Sequence, residues 1–507
     1  MNKCSIAAFF IAMLRNSLVA AVIGMLLFPV EAVAFDLEAR VQKVMLANGL
    51  KVLIVERHHS PIVSLYITHR AGAVDEEDGH TGVAHFLEHL MFKGTTSIGT
   101  KDYNAERIIL EQIHAAGDAL DREMLNAAGN ADRIEDLKKT LRRLQDEEKK
   151  LIIENEIDRI YAEQGAENLN ASTGYDLTTY HVNLPSNKIE LWARIESDRM
   201  ANPVFREFYA ERDVVMEERR QTVESEPEGQ LMERFLATAF AAHPYRRPVI
   251  GWPSEMRSFS YDYTDTFFKA YYAPNNTVIA IVGDVAAQET ESLIRKYFES
   301  IPAHEPPPLG IPAEPVQTVE RRVVLEMDAN PQLIVGYHKP TLPSFDDYVF
   351  DIIDVVLTGG RTSRLYQSLV INKKIAAGIS SVNGFPGARY PNLFTIFSTP
   401  RAPHTNRELE TAIYEELEML KKVPVGAEEL EKAKNQMKAD FIRRLSTNEG
   451  LAGMLGYFEC IAGDYRYITT HSGYIDRITA DDIMRTARTY FISENRTVAE
   501  LIKKDIK

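Results

Sequence analysis

Apolar residues crowd two short runs near the start of the chain, 51–55 and 62–67, rich in Val, Ile, Leu and Tyr and separated by the polar stretch 56–60. Such β-branched and aromatic runs around a polar break predict a β-hairpin. Across 81–93 the spacing changes and apolar positions recur every three or four residues, which predicts a helix. Strand-like runs return at 178–182 and 277–282. A chain that mixes the two periods in this order reads as α+β.

Between these runs, 132–150 alternates charges of both signs while Ile134, Leu137, Leu141, Leu144 and Leu151 recur at helical spacing. We read this as an amphipathic helix packed along one stripe, within an insert of about 118–162; a docking arm for a partner is the alternative. Six prolines fall in 302–318 and deny both helix and sheet, so this segment is expected to be the linker between domains 35–301 and 319–507. The end of each domain carries a similar signature, Tyr271-Tyr272-Ala-Pro-Asn-Asn-Thr277-Val278 and Tyr490-Phe491-Ile-Ser-Glu-Asn-Arg-Thr497-Val498, which implies duplication.

Composition narrows the function. With 45% hydrophobic and 26% charged residues the chain is globular, and a formal charge of -15 disfavours nucleic acid while suiting a basic or neutral substrate. Residues 1–34 stand apart: Lys3 and Arg15 precede an apolar run over 18–28, and Ala32-Val33-Ala34 is a small-x-small cleavage signature, so a signal peptide and export are expected. An uncleaved anchor is the alternative, although Arg15 splits the apolar stretch into blocks too short to span a bilayer comfortably. Removing the signal takes Cys4 and leaves only Cys460, so no intramolecular disulfide is expected, and Cys460 reads as a small buried hydrophobe.

The stretch His85-Phe-Leu-Glu88-His89 carries the chemistry. On a helix, positions i and i+4 share a face, so His85 and His89 can offer imidazole nitrogens to one ion, and Glu88 can reach a water there without being a ligand. Zinc suits such donors with an open position, one ion per chain. A third protein ligand is needed. In the helical stretch 211–220, Glu211 and Glu218 lie seven apart on one face, and they are either a supporting and a ligating carboxylate or simply solvated acids.

His85-Phe-Leu-Glu88-His89 resembles the inverted zinc motif of the pitrilysin, or insulinase, family of metallopeptidases. Met91-Phe-Lys-Gly94-Thr95, Asn170-Ala171-Ser-Thr173, the stretch from Glu211 to Glu218, His243-Pro-Tyr and Gly359-Gly360-Arg-Thr-Ser-Arg-Leu-Tyr366 follow in the family's order. The resemblance implies two homologous α/β-sandwich domains, like those of the LuxS and processing-peptidase metalloenzymes, the first carrying the helical insert. It also selects Glu218 over Glu217 as the third ligand, with Glu211 supporting a ligand from behind. Asn170 and Ala171 would begin an edge strand that pairs with an extended peptide. The size is similar to the short two-domain branch that includes mitochondrial processing peptidase subunits and many exported bacterial enzymes.

Two departures stand out. The gap from His89 to Glu218 is longer than the family's, which the helical insert accounts for. Active members also use an Arg and a Tyr, seven apart in the second domain, to steady the scissile carbonyl; here those positions hold Val370 and Ala377, neither of which donates a side-chain hydrogen bond. Arg364 and Tyr366 belong to the preceding motif, and His338, His404 and His471 are scattered. The expected partner is therefore a paralogous subunit supplying Arg and Tyr, with a weakly active homodimer as the fallback. The rival readings are a non-catalytic scaffold subunit and a module that traps peptides uncut.

Overall fold

A computed structural model of the chain describes residues 37–126, 128–305 and 310–504; the expected signal peptide and Cys4 lie outside them. Leu37–Arg40 forms one helical turn. Among the described residues eleven strands follow: β1 (Val41–Met45), β2 (Lys51–Glu56), β3 (Ile62–His69), β4 (Glu167–Thr173), β5 (Thr178–Pro185), β6 (Thr277–Gly283), β7 (Arg321–Met327), β8 (Gln332–Lys339), β9 (Ala376–Phe385), β10 (Asn392–Pro400) and β11 (Arg496–Lys503). The helices that matter here are α1 (Val83–Leu90), α2 (Tyr103–Leu125), α3 (Ala131–Glu148), α4 (Glu156–Glu163), α5 (Phe208–Arg219), α6 (Pro227–Ala239) and α7 (Asn448–Ile461).

The strands form two sheets, ordered β1-β2-β6-β3-β5-β4 and β7-β11-β8-β10-β9. The hairpin expected of the first two apolar runs does not form. β6 lies between β2 and β3, parallel to one and antiparallel to the other. All seven residues of β6 are buried, and a strand so apolar gains most from a central position with both faces covered. A pattern of two runs and a polar break cannot register a third strand arriving some two hundred residues later.

The duplication is explicit in the topology. β11 sits between β7 and β8, parallel to the first and antiparallel to the second, as β6 sits between β2 and β3. The asparagine at the sixth position of each repeated signature also does the same work: Asn276 Nδ2 donates to Tyr271 O and Arg70 O, and Asn495 Nδ2 to Tyr490 O and His338 O. Each amide thus ties the preceding helix to the neighbouring strand.

The two halves exchange helices. α6 follows α5 in the first half yet packs on β7, β8 and β11, where its Leu231, Phe235 and Leu236 join Ile334, Leu393 and Leu501 in one core. Burying Leu231 and Phe235 fully is worth about 1.5–3 kcal/mol each. In return, α7 from the second half covers β3 and β6. The approach there is close enough that a Cβ on Gly456 would stand 2.7 Å from Thr68 Oγ1, so a larger residue would push α7 off the sheet. Cys460, on the same helix, is buried, with its thiol pushed up to about 12 by burial.

The charge-laced segment becomes α3, lying against α2. Leu141 and Leu144 of its stripe are buried in the same core as Val83, Phe86, Leu87 and Leu90 of α1, with Ile134 and Leu137 packed at the margin. α2 itself runs through residue 118 without a break, so the insert extends an existing helix.

Candidate metal centre

α1 has one apolar and one chemical face. Val83, Ala84, Phe86, Leu87 and Leu90 are buried, and the 3.6-residue period places His85, Glu88 and His89 on the opposite side. Gly82 starts the helix with φ +96°, and a Cβ there would meet Ile250 O at 2.6 Å. Having no side chain, Gly82 cannot cap the helix, so Glu76 does it from six residues upstream, accepting from the N–H groups of Gly82 at 2.8 Å and Ala84 at 2.9 Å.

Aromatic packing fixes α1 against the helix that carries the acids. Phe86 meets Phe208, the first residue of α5, edge to face at 5.0 Å and Phe259 at 5.4 Å. Glu218 Oε2 consequently lies 3.4 Å from His89 Nε2, and Oε1 lies 3.8 Å from His85 Nε2. Ligands bonded tetrahedrally to zinc at about 2.0–2.1 Å stand about 3.3 Å apart, so the set has room for one ion. Among the described residues these three form the one group of His, Cys, Asp and Glu whose ligand atoms, all within 4.8 Å of one another, converge enough to share an ion. Glu217, by contrast, turns to Arg220 and Gln221.

The supporting groups are in reach. Glu211 Oε1 accepts from His89 Nδ1 at 2.9 Å, which leaves Nε2 as the lone-pair nitrogen facing Glu218. His85 Nδ1 is buried without a hydrogen-bond partner. Glu88 Oε2 accepts from Thr173 Oγ1 at 2.5 Å. Thr173 ends β4, an outer strand of the first sheet, on which Asn170 is exposed and Ala171 half-buried. Asn170 Oδ1 accepts from the N–H of Ala171.

The electrostatics suit a cation. Burial, assisted by His89, brings the His85 imidazole down to about 4, so it stays neutral and able to ligate. Burial also opposes charge on His89, but the hydrogen bond and charge of Glu211, with Glu218 and Glu88, outweigh it and raise its proton affinity. A divalent ion would meet the same attractive field. Burial raises the Glu88 carboxyl above its ordinary value, Thr173 and His89 pulling the other way and Glu218 adding to the rise, which moves the group toward the range a general base needs.

In the second half, Val370 is buried in the core and Ala377 is exposed on β9. Arg364 is taken by Glu429 in a two-pronged ion pair at 2.7 Å. His338 bonds Ala239 O, and His404 and His471 stand beside Glu408 and Asp351. Sequence reasoning assigned no role to Glu76, whose cap spans an irregular spacing, and quoted Thr173 only as part of a motif.

The model of the family described as insulinase, peptidase family M16, matches residues 51–134 and 138–252, which include every residue of this centre, and the model described as peptidase M16 inactive domain matches 258–437. The chain belongs to the insulinase family. A member from Helicobacter pylori, named zinc protease PqqE, is 27% identical over 468 residues, covering 91% of this chain and 92% of that protein. The crystal structure of a protease from Helicobacter pylori aligns with a TM-score of 0.75 and 26% identity over 91% of this chain and 99% of that one. The first half of the periplasmic protease PqqL from Escherichia coli shares the fold, with a TM-score of 0.67 and 18% identity over 91% and 92% of the two chains. Both structures share the fold seen here.

Proposed function

We propose that this chain is a zinc-dependent endopeptidase for extended or unfolded peptide segments, exported through residues 1–34 and acting as the zinc-bearing subunit of a heterodimer. The observation that carries the reading is the convergence of His85, His89 and Glu218 on one point, with Glu88 beside it. When bound there, zinc would supply Lewis acidity, polarising the scissile carbonyl and acidifying water. The chain's own residues do the rest. Glu88 accepts the proton of the attacking water and returns a proton to the leaving amine. Glu211 keeps His89 oriented. β4, with a free outer edge at Asn170 and Ala171, pairs with the peptide backbone and so demands an extended substrate.

Space for such a substrate exists away from the metal centre. A cavity of about 1030 Å³ lies between Tyr66 of the first sheet and the second half of the chain, lined also by Asp351, Asp440, Glu449 and Tyr457. Its acidic lining agrees with the net charge in favouring basic or neutral peptides. Export is supported by the leader-like segment; among the described residues no helix is long and apolar enough to cross a membrane. The relatives named zinc proteases support the metal assignment.

Val370 and Ala377 support the heterodimer, because neither donates a side-chain hydrogen bond and a paralogue would supply the Arg and Tyr; losing such donors costs about a hundredfold or more in turnover. Replacing Glu88 by Gln tests the mechanism. The variant should bind one zinc and still bind peptide, yet lose cleavage; hydrolysis persisting in Glu88→Gln would remove Glu88 from its role.

A further inference from the structure

We infer that Thr173 is a positioning residue for Glu88, so that the strand which pairs with the peptide also sets where the base points. The inference deepens the proposed function and rests on Glu88 being the base.

Four observations converge on it. Thr173 Oγ1 stands 2.5 Å from Glu88 Oε2. Two acceptors compete for the proton of Thr173: Thr178 Oγ1, which gives its own proton to Ala71 O at 3.0 Å, stands 3.3 Å away, whereas the Glu88 carboxylate stands at 2.5 Å. The single proton of Thr173 goes to the nearer, charged acceptor, which can only accept while ionised.

The third observation is the strand's alternation. Asn170 and Ser172 are exposed, whereas Ala171 and Thr173 are half-buried, and β4 lies against α1. Side chains on a strand alternate strictly between faces, so Thr173 is committed to the α1 side by the same register that leaves the strand's outer backbone edge for a peptide. The register is fixed by the pairs Ala171 with Tyr180 and Thr173 with Thr178. Finally, the partners of the Glu88 carboxylate among the described residues are the hydroxyl and the backbone N–H of Thr173, while α1 itself is held by its apolar face. The backbone of Glu88 is thus fixed by packing, and its carboxylate by Thr173.

A hydrogen bond to an ionised group is among the stronger kinds, and loss of geometry at a reacting group costs rate without costing binding. Thr173→Val keeps the shape and removes the hydroxyl. Its kcat on a quenched fluorescent peptide should fall about tenfold or more, with KM within about twofold of wild type. Zinc content, and the affinity of the metal-free protein for the same peptide by fluorescence anisotropy, should not change. Thr173→Ser, which restores the hydroxyl, should recover most of kcat.

Wild-type kcat in Thr173→Val overturns the inference, as does a Thr173→Ser variant no better than Thr173→Val, since the branched methyl and the fit of the strand would then be what matters. Glu88→Gln separates the layers. Cleavage by Glu88→Gln defeats both the base assignment and this inference. An inactive Glu88→Gln beside a fully active Thr173→Val defeats the inference alone.

Discussion

Glu211 grips His89 from behind, its Oε1 2.9 Å from Nδ1, while Lys93 Nζ holds the other oxygen at 2.6 Å. A carboxylate fixed at both oxygens has one orientation, and so has the imidazole it supports. Burial disfavours charge on Glu211, but its bonds to His89 and Lys93 prevail and keep it ionised. Changing Glu211→Ala should weaken zinc binding about 10–100-fold with the fold retained, as is usual when the outer partner of a ligating histidine is lost. Competition with a chromophoric chelator measures it, and an unchanged affinity would mean that the contact plays no part.

Metal removal should be felt as loss of stability. A ligand that binds only the folded state adds about 4 kcal/mol when present at a thousand times its Kd. Dialysis against chelator should therefore lower the denaturation midpoint, and added zinc should restore it. His85→Ala should show neither effect, because the remaining His89 and Glu218 leave an incomplete set.

Glu76 is the side-chain cap of α1. Glu76→Ala leaves the N–H groups of Gly82 and Ala84 without their partner in a buried setting, which should cost about 1–3 kcal/mol in urea titrations and reduce zinc occupancy. A variant as stable as wild type would show that water or backbone takes over the cap.

Glu148, at the end of α3, sets a pH dependence of stability. Burial, with Glu106 and Glu207 nearby, raises its carboxyl to about 7 against the pull of the Glu207 N–H and Arg206. The unfolded chain loses that proton near the ordinary value of 4.5, while the folded chain keeps it to about 7. The folded state therefore binds more protons in this window, and stability falls as pH rises through it. Glu148→Gln should flatten this part of the profile and, at pH 8, stabilise the protein by about 1–3 kcal/mol. Melting curves at pH 5 and pH 8 decide it.

What could be read along the chain was local. His85, Glu88 and His89 share one helix turn, so their spacing alone placed them on one face, and the stripe of Leu141 and Leu144 announced α3. The repeated Tyr-to-Val signature implied duplication, and the structure adds that each copy includes the asparagine that ties helix to strand. Long-range facts were not legible. The place of β6 between β2 and β3 depends on burial of both its faces, and the reach of Glu76 to Gly82 on a loop with no standard capping spacing. Thr173 meets Glu88 only because β5 sets the register of β4. The choice of Glu218 over Glu217 came from family likeness, and geometry gives it a reason in the direction each carboxylate takes from α5.

The crossing over of α6 and α7 bears on how this protein can be divided. A fragment ending after β6 would keep α6 with no sheet beneath it and would lack the roof over β3 and β6; a fragment starting at β7 would have the opposite deficit. Neither piece closes its own interior, so each should be insoluble when produced alone. Co-produced, they should assemble into a nicked protein of native shape, each lending the other its missing layer.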